Sequence, residues 1–328
     1  MRFDVIIGNP PYQRSDEGGH RPVPLYQRFV CAAKDLQPRH LVMITPSRWM
    51  GGGLGLSAYR AEMLSDRRIE LIRDYPVSKE VFPEVEIKGG VSCFLWSRAH
   101  DSLCTFASVR DGVCSRPMRR ALDEHDILVR DVGGLNLLQR VLARDETPFE
   151  SLVASVRPFG ARLRSNFRDY RAVCGGDYTV PLLVSRGGRR LEVWTRPEYV
   201  SANRALAAGW KVFLPKAGSD GGQRLPSSVI GPPRIGRPGQ VSTETYLAIG
   251  PFASRRDAES AYAYLTSRFA RYLISLRKVG HDNVPSTFRW LPLPDWADAV
   301  ADEALYEKYR VSPEEAAHLE AMVAPWRT

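Results

Sequence analysis

The sequence predicts an α/β fold: half of a doubly wound parallel sheet, followed by an α+β second domain. Three observations carry this. Apolar runs at residues 3–7 and 41–44 flank a stretch with Leu25, Phe29, Val30, Ala33 and Leu36 at helical spacing, and a strand–helix–strand order points to a parallel sheet. The order continues through a helix at 57–64 and strands at 69–74 and 91–96. Beyond about Asp131 the texture changes to short β-rich pieces such as "YTVPLLVS" and "WKVFLP", separated by Gly and Pro clusters including "GSDGGQ" and "IGPPRIGRPGQ". The expected domains are therefore 1–130 and 131–328.

The first strand must stop at Gly8, because Pro10 and Pro11 fix φ and remove two backbone donors. In the second domain one long helix is expected over 254–278, with Ser254 as N-cap, Asp257 in the capping-box position and Gly280 as the stop. Ser312, Pro313, Glu314 and Glu315 open a last helix by the same logic, with proline at the first helical position.

Composition sets limits. A chain of 328 residues that is 44% hydrophobic can bury a core, and 46 Lys and Arg against 37 Asp and Glu leave a net charge of +9. That balance suits a polyanion such as nucleic acid, although surface charge can also serve solubility alone. The five cysteines show no C-x-x-C spacing and no H-E-x-x-H occurs, so neither a disulfide framework nor a metal site is expected. No apolar run reaches the ~18 residues of a membrane span, and a reducing cytoplasm is the expected location.

The motif that carries chemistry is Asn9-Pro10-Pro11-Tyr12 at the carboxyl end of a buried strand, where ligands of open α/β sheets bind. The side-chain carbonyl of Asn9 and the backbone carbonyl of Pro10 can accept both hydrogens of a planar exocyclic amine and aim its lone pair at an incoming methyl. Tyr12 can stack on a base taken out of its duplex. The alternative is a strand-ending turn in which Asn9 caps locally and Tyr12 packs.

Several blocks, "FDVIIGNPPYQ", "LVMITPSRWMGGGLGLSAYRAEML", "DYPVSKEVFPEVEIKGGVSCFLW", "SVRPFGARLRSNF", "STETYLAIGPF" and "RFARYLISLRKVGHDNVPSTFRWLPLPDW", together resemble the Eco57I-like family of adenine-specific DNA methyltransferases from restriction-modification systems. The resemblance implies a Rossmann-like methyltransferase sheet followed by a target-recognition domain, with double-stranded DNA as partner and S-adenosylmethionine as methyl donor. It implies that Asn9 to Tyr12 are the catalytic motif and that Phe82 contacts the extruded base, loop packing being the equal alternative for Phe82. Family members carry an F-x-G-x-G strand and turn before the motif, and only eight residues precede Asn9 here. The chain is therefore expected to hold the substrate side and to need a missing N-terminal segment or a second polypeptide for the cofactor. Lys211, Lys216, Arg234, Arg237, Arg271 and Lys278 are the expected DNA-binding residues.

Rival readings remain at this level: a DNA-binding specificity module without activity, or methyl transfer to protein glutamine. The glycines of residues 51–55 and the "GSDGGQ" stretch read as loops rather than cofactor turns. Asp74 with Glu86 and Lys88 has the loose look of a metal-nuclease D…E-x-K set, which chance supplies often.

Overall fold

The computed structural model describes residues 3–14, 23–218, 224–278, 280–297 and 300–326. Most of the "GSDGGQ" stretch, residues 219–223, lies outside them. The fold is mixed α/β, in two compact units, Met1–Val132 and Gly133–Thr328. All five cysteines are free thiols. Among the described residues no helix is long and apolar enough to cross a membrane.

The first unit runs β1 (Val5–Gly8), a two-residue hairpin of β2 (Gln13–Arg14) and β3 (Val23–Pro24), α1 (Tyr26–Asp35), β4 (His40–Pro46), α2 (Ser57–Ser65), β5 (Ile69–Tyr75), β6 (Val91–Ser97), β7 (Cys104–Arg110), β8 (Val113–Cys114) and β9 (Met118–Arg120). The main sheet has the order β1-β4-β6-β5-β7-β8, with β9 on β7. The apolar runs fall where their composition puts them, but the sheet is not uniformly parallel. β1 pairs parallel with β4 and β5 with β7, whereas β6 runs antiparallel to both β4 and β5. Residues 76–90 contain only a short 3-10 turn and no helix of the kind that usually makes a parallel crossover. Leu41, Ile69, Ile72, Phe94, Trp96 and Phe106 fill the core, and Trp49 and Tyr26 each meet Tyr59 edge-to-face at ring distances of 6.1 and 5.9 Å.

The second unit opens with α3 (Leu135–Leu142), whose Leu135, Leu137, Leu138 and Val141 are buried. A hairpin of β10 (Val180–Arg186) and β11 (Arg189–Thr195) is joined in parallel by β14 (Val241–Ser242). α4 (Arg204–Ala208) leads to β12 (Trp210–Pro215), which lies between β13 (Arg234–Gly236) and β15 (Tyr246–Phe252) in an antiparallel sheet.

The long helix expected from Ser254 is in fact two, α5 (Arg255–Thr266) and α6 (Arg268–Arg277). Its predicted start is correct, since Ser254 and Asp257 form a reciprocal capping box. The break comes at Ser267, which leaves helical geometry at φ −59°, ψ 151° and accepts the Ala270 N–H on its hydroxyl at 3.1 Å, so that it caps a new helix. Periodicity continues across the break, which is why the apolar pattern hides it. α7 (Asp302–Lys308) and α8 (Pro313–Met322) complete the unit, α8 with the expected Ser312–Glu315 capping box.

Candidate active site

The Asn-Pro-Pro-Tyr turn leaves the carboxyl end of β1. Asn9 is exposed, Pro10 is buried and Pro11 is exposed, so the proline pair turns the chain outward with one ring anchored. Among the described residues neither the Asn9 side chain nor the Pro10 carbonyl has a hydrogen-bond partner. The turn is fixed from behind by the Leu25 N–H, which donates to the Tyr12 carbonyl at 3.0 Å, and by the β2–β3 hairpin that follows.

Tyr12 and Phe82 stand together, with ring centroids 6.4 Å apart and planes inclined by 70°. The two rings form a corner at the last residue of the Asn-Pro-Pro-Tyr turn. The Tyr12 hydroxyl is buried without a hydrogen-bond partner, and burial pushes its pKa up to about 12, so the ring stays neutral. Phe82 is held by Ser78, a buried residue that sequence reasoning did not single out. The Phe82 N–H donates to the Ser78 carbonyl at 2.8 Å, while the Ser78 hydroxyl accepts from the Ile87 N–H at 2.8 Å and donates to the Val85 carbonyl at 3.2 Å. One serine thus ties both sides of the loop that presents the phenyl ring.

The strand ending at "ITPSRW" continues into a 3-10 turn, Ser47–Met50, whose Ser47, Trp49 and Met50 are buried. Ser47 donates its hydroxyl to Asp74 at 2.7 Å, and Arg130 reaches the same carboxylate with two guanidinium nitrogens at 2.7 and 2.8 Å. Asp74 is therefore a buried structural anion, while Glu86 and Lys88 are exposed. The D…E-x-K set does not assemble. Among the described residues no group of three or more His, Cys, Asp or Glu is placed to hold a metal.

The glycine loop after β4 gives a test of cofactor fit. A Cβ on Gly52 would lie 3.0 Å from Nη1 of Arg60, and one on Gly53 would lie 3.7 Å from Nη2 of Arg48. Two guanidinium groups wall this loop, an unfavourable setting for the sulfonium cation of S-adenosylmethionine. The loop of residues 51–55 therefore does not fit that group.

The expected DNA-binding residues divide. Lys211 is 0% exposed and donates to the carbonyls of Ala207, Arg237 and Gln240 at 2.9 to 3.0 Å, with burial lowering its pKa to about 8. Arg271 is 1% exposed and bonds the carbonyls of Thr266, Ser267 and Ala324. Both are corrections to the sequence reading, because a cation buried in this way has no surface to offer a phosphate. Lys278 donates to the Val229 carbonyl, Lys216 lies 3.6 Å from Asp282, and Arg237 forms a bidentate pair with Glu192. Of the six, Arg234 is exposed and without an ion pair among the described residues. Lys211→Ala is expected to cost about 1–3 kcal/mol in urea unfolding, because three carbonyls lose their donor, and to leave DNA affinity unchanged. A fall in DNA affinity at unchanged stability would return Lys211 to the surface.

At the end of β1, then, sit two carbonyls without a hydrogen-bond partner among the described residues, in the same turn as a Tyr12–Phe82 corner of rings. Residues 1–82, which include Asn9, Tyr12 and Phe82, match the model of the Eco57I restriction-modification methylase family, and the resemblance read from the sequence is borne out over that segment. A curated relative from Mycoplasma pneumoniae, described as an uncharacterized adenine-specific methylase, is 41% identical over 100 residues, covering 29% of this chain and 24% of the relative. The chain thus spans about a quarter of that relative's length. Among solved structures it is similar to the type IIG restriction endonuclease BpuSI, at 13% identity and TM-score 0.36, over 94% of this chain and 49% of that one. It is also similar to the type IIL restriction-modification enzyme MmeI in complex with DNA, at 10% identity and TM-score 0.43, over 92% and 46%.

Proposed function

We propose that this chain is the substrate side of a restriction-modification DNA methyltransferase that transfers a methyl group from S-adenosylmethionine to N6 of an adenine flipped out of double-stranded DNA. The observation that carries the reading is that Asn9 and the Pro10 carbonyl, without hydrogen-bond partners among the described residues, share one turn with the Tyr12 ring that meets Phe82. S-adenosylmethionine supplies an electrophilic methyl. This chain's own part is positioning. Asn9 and Pro10 take the two amine hydrogens, which draws the nitrogen lone pair out of conjugation. The Tyr12 and Phe82 rings offset the cost of unstacking, a few kcal/mol, by giving the base new faces to pack on.

The cofactor-binding elements are proposed to dock on the open edge of β1, from the same polypeptide or a second one. No strand among the described residues pairs with that edge, and Val5 and Ile7 are 51% and 77% exposed. Strands in the parallel part of such a sheet are ordinarily covered, so this exposure favours a neighbouring element. The test is made in the native host, where every partner is present. Sequencing that detects modified bases is expected to find N6-methyladenine at one recurring DNA sequence, and to lose it when the gene is deleted. Retention of every such mark after deletion would end the proposal.

A further inference from the structure

Residues 162–171, "RLRSNFRDYR", carry four arginines and one acid, and the structure gives them an unusual setting. Arg162, Arg164, Arg168 and Arg171 are all exposed, and none forms an ion pair among the described residues, although Arg171 lies within electrostatic reach of Asp169. Arg164 and Arg168 bond only local carbonyls, Ala161 and Phe167, while Arg162 and Arg171 lie over the rings of Tyr199 and Tyr178 at 5.6 and 4.3 Å. Asp169 accepts from the hydroxyls of both tyrosines, which hold its carboxyl below the ordinary range. Nearby Glu244 and Glu192 are also committed, to Arg157 with the Ser165 N–H and to Arg237 with Gln240.

The loop is irregular yet firmly tied. Leu163 is buried and its carbonyl accepts from the Glu244 N–H at 2.8 Å; Arg186 donates to the carbonyls of Ser165 and Phe167; and Arg171 exchanges backbone hydrogen bonds with Trp194 at 2.8 Å. Solvated charge kept for solubility is ordinarily interspersed with the opposite sign and needs no such anchoring. All four cations are arginine, the side chain whose planar fork matches phosphate oxygens and whose face stacks on rings.

We infer that residues 162–171 form a pre-organised phosphate-binding loop that grips the backbone of double-stranded DNA, fixing the duplex without reading its sequence. This rests on the DNA reading proposed above. It replaces the buried Lys211 and Arg271 with four cations that can reach a ligand.

The test is made on the full chain with a fluorescent duplex of mixed sequence, titrated at several salt concentrations. Arg164→Gln/Arg168→Gln removes two cations that hydrogen-bond local carbonyls, so folding is retained, and near-UV circular dichroism checks this. Each phosphate contact contributes about 0.9 to the slope of log affinity against log salt, so the slope should flatten by roughly 2 and affinity fall on the order of 10-fold. The charge-matched Arg255→Gln/Arg256→Gln, exposed on α5, should bind nearly as the unaltered chain does. An equal fall in both variants, or no fall in the loop variant, overturns the loop assignment alone. A wild-type chain that ignores duplex DNA overturns the DNA reading itself and the loop with it.

Discussion

Asn9→Ala, introduced at the native locus, is expected to slow methyl transfer by about 10²–10³-fold, the usual cost of removing one positioned polar group from a developing charge centre. The DNA mark should disappear from growing cells while the purified variant still binds duplex DNA. The reason is local. Asn9 is exposed and has no hydrogen-bond partner among the described residues, so its loss leaves no hole in the core, and no packing change competes with the chemical one. Alanine removes the side-chain acceptor but leaves the Pro10 carbonyl, so one amine hydrogen is still held and the lone pair is only half oriented. Marks that persist at full density in the variant would take Asn9 out of the reaction.

Arg130→Ala should be the most damaging change to the first unit's stability, at about 3–5 kcal/mol in urea unfolding, because it strips the cation from a carboxylate that is 0% exposed. Ser47 would still donate to Asp74, and Arg110 would remain within electrostatic reach. The effect reaches the aromatic corner as well. Arg130 also donates to the Gly89 carbonyl at 2.8 Å and the Ser47 N–H donates to the Gly90 carbonyl at 3.0 Å, so both hold the far end of the loop that carries Phe82. Gly90 has no room to shift, since a Cβ there would lie 2.1 Å from the Tyr75 carbonyl oxygen. Removing both charges together, as Asp74→Asn/Arg130→Met, should cost less than Arg130→Ala alone. If the single variant unfolds at the wild-type urea concentration, the pair does not support the loop.

Four strands of the first unit, the two capping boxes and the Asn-Pro-Pro-Tyr turn were legible because each depends on neighbours in sequence: an apolar run, a serine three residues before an acid, a proline pair. The order of strands was not, since antiparallel β6 between β4 and β5 is a pairing of segments distant in the chain. The same limit misplaced the cations. Lys211 sits in "WKVFLP", a strand whose neighbours are nearly all buried, and an alternating pattern there would have warned that one face carries no water. Arg130 gave no signal, because its partner lies 56 residues away. The arginine loop does carry one, four cations in ten residues with a single acid.

The place of β6 bears on how the chain is made. β4 and β5 touch β6 and not each other, so on the ribosome both emerge with an unmet edge and remain so until Val91–Ser97 has been synthesised and has cleared the exit tunnel. Such non-local pairing is slow to form and exposes apolar edges while it waits. The first unit is therefore at its most vulnerable to aggregation and proteolysis in the interval between translation of β4 and arrival of β6, and pauses placed in that interval should lower the yield of folded protein more than pauses placed after it.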